Sequence, residues 1–203
     1  MSGSPKKLPG TIGFTVKSGW ASAVLLIGPA SSPGVMDSRR VELSDPEVPE
    51  SRQPYHAGFG TARKADQNLS RLVTSVKRYG RGSVTELIRH YQTLGPSVRG
   101  AGLVVGSLID PKGIANDHIR IHALEGQLFR GVVNEAATRS QLSCSIWRER
   151  DLYDIAARSL KLPEHTLRDR LATLGRGIAG GWRAEQKTAA LAAWIVLAGG
   201  RQR

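Results

Sequence analysis

The chain has 203 residues, of which 40% are hydrophobic and 23% are charged, a composition typical of one soluble globular domain of ordinary size. Its 29 lysines and arginines against 17 aspartates and glutamates give a net charge of +12, which favours a polyanionic partner such as DNA or RNA. No segment approaches the roughly 20 apolar residues of a membrane-spanning helix, and Cys144 is the only cysteine, so we expect no membrane partner, no internal disulfide and a cytoplasmic location.

The first half of the chain predicts three strands and then two helices. Residues 1–10 are small, basic and rich in Pro and Gly, which indicates a flexible tail. Apolar runs at 11–16, 21–27 and 35–43 predict an antiparallel meander of three strands. Beyond an irregular segment at 45–59, helical apolar spacing predicts two helices, which the sequence Gly80-Arg81-Gly82 separates and Ser83 caps.

The second half alternates strands and helices. Residues 98–109 form a small, apolar run that predicts a strand buried on both faces. Asn116 is the predicted cap of a helix, and a short strand follows at 142–147. The remaining predicted segments are helices at 151–160, 164–174 and 184–197, a glycine-rich loop at 175–181 and a short basic tail at 198–203.

This order of elements predicts an α/β fold, with a five-stranded mixed sheet flanked by helices in one domain over residues 11–197. The order resembles the ribonuclease H-like superfamily. The run Glu125-Gly126-Gln127-Leu128-Phe129-Arg130-Gly131 is similar to the Gly-Gln-x-Arg-Gly run of the Holliday-junction resolvase branch. The resemblance implies a nuclease that holds two metal ions with acidic side chains.

The acidic residues that this resemblance implies are incomplete. No Asp or Glu precedes Asp37, and Thr15 stands where the family has its first aspartate. Asp110 follows the fourth strand, while Glu185 with Thr188 is the nearest match to the Asp-x-x-Asp pattern of the last helix. We therefore expect a site without the usual two metals, and no cofactor unless a divergent nuclease binds Mg²⁺ or Mn²⁺.

The candidate catalytic residues are Asp110, Glu185 and Asp37, together with His56, which lies in a loop and is able to move protons near neutral pH. Asp110 and Glu185 are also the weak candidates for metal ligands. His118 and His122 are four residues apart, a spacing that suits zinc, but a closed site needs further ligands such as Cys144. We interpret His122 instead as part of the buried helical stripe.

The positive charge is concentrated in residues 61–95 and in the last third of the chain. The predicted nucleic-acid-binding residues are Arg63, Lys64, Arg71, Lys77, Arg78, Arg81, Arg176 and Arg183. The leading hypothesis is a protein that binds nucleic acid, or an interaction module, without the two-metal site. The alternatives are a divergent metal-dependent nuclease and a protein-interaction scaffold whose charge serves solubility.

Overall fold

The computed structural model describes residues 7–58, 61–178 and 180–200. The strands are β1 (Pro9–Lys17), β2 (Trp20–Ile27), β3 (Gly34–Glu42), β4 (His56–Gly58), β5 (Thr61–Ala62), β6 (Ser97–Val105) and β7 (Ser143–Arg148). The helices are α1 (Gln67–Thr93), α2 (Asp117–Arg139), α3 (Leu152–Leu160), α4 (Glu164–Leu174) and α5 (Ala184–Leu197).

Five strands form one mixed sheet in the order β3-β2-β1-β6-β7, as predicted, and β4 pairs with β5 in a small separate ribbon. β1, β2 and β3 are antiparallel neighbours, which confirms the meander. β6 and β7 continue the sheet as parallel strands beside β1. The carboxyl ends of β1, β6 and β7 therefore meet at one edge of the sheet.

Helices cover both faces of the sheet. α1 and α2 pack on one face around Phe14 and Leu103, whereas α3, α4 and α5 pack on the other around Val104 and Trp147. Neighbouring strand residues thus enter different cores, because successive side chains of a strand point to opposite faces. α5 is apolar almost all round in sequence, and its residues from Ala189 to Ile195 are all buried.

α5 lies unusually close to β1 because that face of the strand has small residues. A Cβ atom added to Gly13 would lie only 1.7 Å from the main-chain oxygen of Ala189. One step along, Thr15 Oγ1 donates a 2.9 Å hydrogen bond to the main-chain oxygen of Glu185. The step from Gly13 to Thr15 along β1 thus corresponds to one turn of α5, from Ala189 back to Glu185. These contacts place the start of α5 beside the end of β1.

α1 is one continuous helix, so the predicted break at Gly80 is wrong. Gly80 is buried where α1 crosses its neighbours, and an added Cβ would lie 2.7 Å from the oxygen of Leu43 and 2.8 Å from Val132 Cγ1. Ser83, the predicted cap, instead donates its hydroxyl to the oxygen of Tyr79 one turn earlier. The glycine is there for close packing rather than for a turn.

α2 begins as predicted, since Asn116 Oδ1 accepts a 3.0 Å hydrogen bond from the Ile119 amide. The buried stripe differs from the prediction in the first half of the helix. His122 is exposed and Ile119 is 54% exposed, whereas Ile121 and Glu125 are buried. The interpretation of His122 as part of the buried stripe is therefore wrong, while Phe129, further along the helix, is buried.

Several boundaries also differ from those predicted. β1 begins at Pro9, so the last two residues of the predicted tail belong to the sheet, where Gly10 pairs with Ile27 and Val98. β6 ends at Val105, and the residues up to 109 are exposed. Residues 1–6 and 201–203 of the two predicted tails lie outside the described residues. Within the described ranges, no helix has both the length and the apolar character needed to cross a membrane.

Candidate nucleic-acid interface

The edge where β1, β6 and β7 end is the expected location of a ligand site, because ligands of open α/β sheets bind outside the carboxyl ends of parallel strands. β1 ends at Lys17, β6 at Val105 and β7 at Arg148. The start of α5 lies at the same edge, because the main-chain oxygen of Glu185 is hydrogen-bonded to Thr15.

A cleft of about 940 Å³ opens at this edge beyond β6 and β7. Trp147 and Ile155 contribute apolar surface to it, and three arginines line it, Arg148, Arg150 and Arg158. The exposed strand extension at 106–109 forms another part of its wall. The cleft is therefore a concave surface with cationic side chains at the end of a parallel sheet, a shape and charge that suit an anionic ligand.

The arginines of this cleft are only partly neutralised. Arg148 Nε lies 2.5 Å from Asp151 Oδ2, and Arg150 Nε lies 3.7 Å from Asp151 Oδ1. A single carboxylate thus serves two guanidinium groups, and Arg158 forms no ion pair with any described residue. The cleft lining has three basic groups and one acidic group, so its net charge is positive.

The acidic residues predicted for this edge belong to different elements and have different contacts. Asp110 is exposed beyond β6, and its Oδ1 accepts a 3.1 Å hydrogen bond from the Lys112 amide, which caps a short 3-10 helix. Glu185 is in the first turn of α5, half-buried, and contacts Thr15 through its main chain. Lys17, at the end of β1, pairs with Glu149 at 3.4 Å.

Asp37 is on the opposite face of the sheet from Glu185. It pairs in register with Leu25, which belongs to the core under α1 and α2. There its carboxylate accepts two hydrogen bonds from Arg39 and one from the Tyr91 hydroxyl. The structure therefore assigns Asp37 a packing role and does not bring it to Glu185.

His56 differs from the other predicted catalytic residues because a buried acid contacts it. His56 Nδ1 lies 2.8 Å from Oε1 of Glu125, whose side chain is completely buried. The other carboxylate oxygen of Glu125 accepts a 3.3 Å hydrogen bond from Ser18, in the turn between β1 and β2. Burial, followed by the charge of Glu125, raises the pKa of the neighbouring Tyr55 above its usual value.

The two histidines of α2 lie beside this pair. The ring of His122 is edge-on to His56 with 5.1 Å between centroids, and edge-on to His118 with 4.6 Å. Among the described residues, His56, His122 and Glu125 are the only group of three or more potential metal ligands whose atoms lie within 4.8 Å of one another. Asp110, Glu185 and Asp37 do not form such a group.

The predicted nucleic-acid-binding residues are divided between the two faces of the sheet. Arg71, Lys77, Arg78 and Arg81 are on α1, and Arg176 and Arg183 flank the glycine-rich loop before α5 on the other face. Four of the predicted residues have partners among the described residues. Arg63 donates hydrogen bonds to the main-chain oxygens of Pro54 and His56, and Arg71 donates one of 3.1 Å to Asn68 Oδ1. Arg78 lies 3.7 Å from Asp45, and Arg81 pairs with Glu135 at 3.2 Å. Lys64 is exposed just before α1.

Sequence reasoning missed the arginines of the cleft and the position of Glu125. The three cleft arginines belong to the basic last third of the chain, but only the parallel pairing of β6 and β7 brings their segment to the end of β6. For Glu125 a signal was present in the sequence. It lies three residues after His122, which puts both side chains on neighbouring positions of one helix face.

No protein-family model matches this chain, and no curated protein is similar to it in sequence. Among solved structures, it is similar to Thermus thermophilus RuvC in complex with a Holliday junction substrate, with a TM-score of 0.53, 10% identity, and coverage of 92% of this chain and 90% of that one. A Thermus thermophilus RuvC structure gives a TM-score of 0.48, 12% identity and 92% coverage of both chains. An Aquifex aeolicus Ppx/GppA family member gives 0.33, with 10% identity over 76% of this chain and 40% of that one. The chain therefore has an α/β fold of the ribonuclease H-like type, similar to that of this RuvC structure.

Proposed function

We propose that this chain binds nucleic acid through the arginine-lined cleft at the carboxyl edge of its sheet, and that it does so without the two-metal nuclease site that the sequence resemblance implies. The observation on which this rests is the cleft itself, which three arginines line, Arg148, Arg150 and Arg158. The single carboxylate of Asp151 pairs with Arg148 and Arg150, and Arg158 has no ion-pair partner among the described residues. Phosphate groups are the ligands that guanidinium groups bind best, by paired and charge-assisted hydrogen bonds.

The fold supports this choice of ligand. The similar resolvase structure with a TM-score of 0.53 was solved in complex with a Holliday junction, a branched DNA. The cleft lies at the edge where open α/β sheets bind their ligands. With a net charge of +12, the whole chain also attracts a polyanion over a longer range than any single contact.

The residues at the end of β1 support binding rather than cleavage. Thr15 stands where the resemblance implies the first metal-binding aspartate, and its hydroxyl donates the hydrogen bond to α5. Lys17, two residues on, adds a positive charge that would repel a divalent cation. Asp110 is used as a helix cap, and the one group of three or more potential metal ligands within 4.8 Å of one another among the described residues contains neither Asp110 nor Glu185.

The test of binding uses two double variants of equal charge. Arg150→Gln/Arg158→Gln removes two cleft cations, and Arg99→Gln/Arg139→Gln removes two exposed cations near the amino ends of β6 and β7. Affinity for single-stranded, duplex and branched DNA and for RNA is measured at about 50 mM salt. We expect the cleft variant to lose about tenfold or more in affinity and the control to keep the wild-type value.

Two outcomes would overturn the proposal in different ways. Equal losses in both variants would show that the charge acts as a general field and that the cleft is not the site. No detectable binding to any of the four nucleic acids would favour the interaction scaffold, which a pull-down insensitive to nuclease treatment would identify.

Cleavage is tested separately, with the same nucleic acids in Mg²⁺ or Mn²⁺. We expect no cleavage. Activity that Asp110→Asn and Glu185→Gln both abolish would establish the divergent nuclease instead.

A further inference from the structure

We propose that His56, His122 and Glu125 bind one Zn²⁺ ion in a site that is independent of the arginine cleft. His56 is in β4, whereas His122 and Glu125 are in α2, so the site joins two segments more than sixty residues apart in sequence. Each residue offers a ligand atom, and the three atoms lie within 4.8 Å of one another.

The three side chains are the right types for zinc. Two imidazole nitrogens and one carboxylate oxygen form the donor set of many catalytic zinc sites, with metal–ligand distances of about 2.0–2.2 Å. Tetrahedral coordination at these distances separates the ligand atoms by about 3.4 Å. Since His56 Nδ1 and Glu125 Oε1 are 2.8 Å apart, a small outward movement there and a side-chain adjustment at the exposed His122 complete the geometry.

The burial of Glu125 gives the strongest physical reason for a bound cation. A carboxylate that is completely buried is costly unless charge or hydrogen bonds compensate for the water it has lost. Its partners among the described residues are the His56 ring and the Ser18 hydroxyl, and neither is a permanent cation. A divalent ion bound in place of the proton between His56 and Glu125 supplies that compensation.

Neighbouring side chains orient two of the three proposed ligands through hydrogen bonds, as is usual around metal sites. Ser18 holds the second oxygen of Glu125, which orients the carboxylate. Arg63 fixes the main chain of His56, since its guanidinium donates 2.9 Å hydrogen bonds to the main-chain oxygens of His56 and Pro54. Two of the three proposed ligands are therefore held in place before any metal binds.

The site also has an accessible side. His56, His122 and His118 line a cavity of about 610 Å³, together with Arg52 and Arg63. Three protein ligands leave a fourth zinc position, which this cavity makes available to water or to an anionic oxygen ligand. Cys144, which the sequence suggested as a further ligand, is in β7 within the core that contains Ala101, and it takes no part in this group.

Zinc binding is measured on the full chain after treatment with a chelator, by titrating Zn²⁺ in competition with a chromogenic chelator. The test variant is His122→Ala, because His122 is exposed and its removal leaves the core intact. The matched control is His165→Ala, an exposed histidine in α4. Co²⁺ is used as a second probe, since tetrahedral coordination intensifies its visible absorption.

We expect one Zn²⁺ per wild-type chain, at least a tenfold loss of affinity in His122→Ala, and wild-type affinity in His165→Ala. Co²⁺ is expected to give the tetrahedral spectrum with the wild-type chain and not with His122→Ala. Equal zinc affinity in the wild-type chain and His122→Ala would overturn the proposal and leave the His56–Glu125 contact with a structural role. Because nucleic-acid binding is tested on other residues, either proposal is able to fail alone.

Discussion

Asp37 is a half-buried acid on β3, and its carboxylate accepts hydrogen bonds from side chains of two elements. Arg39 is two residues along the same strand, and Tyr91 reaches it from α1 as a fully buried side chain. Burial alone would raise the pKa of Asp37, but the hydrogen bonds from Arg39 and Tyr91 outweigh it, and the pKa lies below its usual value. Burial, followed by the hydrogen bond to Asp37, raises the pKa of Tyr91 above its usual value.

This lowered pKa predicts an acid-sensitive contribution to stability. An acid with a lowered pKa in the folded state stabilises the fold above its unfolded-state pKa of about 3.9, and loses that effect as the pH falls through the folded value. We expect Asp37→Asn to lower the free energy of unfolding by about 1 to 3 kcal/mol at neutral pH. Urea unfolding of both proteins should show this difference shrinking below about pH 4.

The control for Asp37 is Glu86→Gln, which changes an exposed acid on α1. A substitution of this kind usually changes stability by less than about 0.5 kcal/mol. A difference between wild type and Asp37→Asn that stayed constant as the pH fell would mean that ionisation of Asp37 is not the source of its contribution to stability.

Cys144 provides a second prediction for a single residue. Burial raises the pKa of its thiol to about 12. Since the thiolate is the reactive form and a free cysteine has a pKa of about 8.5, the folded chain has roughly a thousandfold less thiolate near pH 8. We expect a thiol reagent to modify Cys144 very slowly in the native protein and rapidly in denaturant, and rapid native labelling would contradict the burial.

At the scale of elements, two glycines of α1 form a natural matched pair. Gly80 lies against Leu43 and Val132, with no room for a methyl group, whereas a Cβ on Gly82 would meet nothing within 4 Å. We expect Gly80→Ala to destabilise the protein by about 1 to 3 kcal/mol through overpacking. Gly82→Ala should instead stabilise it by about 0.5 to 1 kcal/mol, because alanine is the better helix former.

Thermal or urea unfolding of both variants distinguishes the two explanations of the Gly80-Arg81-Gly82 sequence. If these glycines formed a flexible break, both alanine substitutions would stabilise the helix. Opposite signs are expected for one continuous helix that crosses its neighbours at Gly80.

Comparison of the helices shows which of their features the sequence predicts and which depend on tertiary contacts. The bounds of α4 and α5 agree with the predicted helices, because their apolar spacing and the flanking glycines and prolines are local signals. A glycine pair has two local meanings, a turn or a close crossing, and only the distant Leu43 and Val132 decide between them. Tertiary contacts of this kind are invisible in one helix's own pattern.

The candidate functional residues likewise depend on contacts between segments that are distant in sequence. The candidate roles of Asp110 and Glu185 are implied by likeness to a family pattern, and the structure places the main chain of Glu185 in contact with Thr15. His56 and Glu125 are 69 residues apart, and nothing local to either residue indicates that they meet. Their contact depends on where the irregular segment before α1 folds back onto α2.

At the scale of the whole molecule, the net charge of +12 combines three different kinds of cation. Some are used in ion pairs, such as Arg81 with Glu135, and others hold the main chain, as Arg63 does. The cleft arginines are the third kind, since they outnumber the carboxylate beside them. Composition therefore predicts the sign of the partner's charge, while the location of unpaired cations predicts where the partner binds.

This distinction predicts how binding depends on salt. Each phosphate contact releases counterions, so the logarithm of the association constant falls linearly with the logarithm of salt concentration, by about 0.9 per contact on duplex DNA. We expect Arg150→Gln/Arg158→Gln to reduce this slope by about 2. Arg99→Gln/Arg139→Gln removes the same charge near the opposite edge of the sheet, and its slope should equal that of the wild type. Titrations on one duplex across a range of salt concentrations measure all three slopes, and a similar decrease in both variants would show that net charge alone governs the affinity.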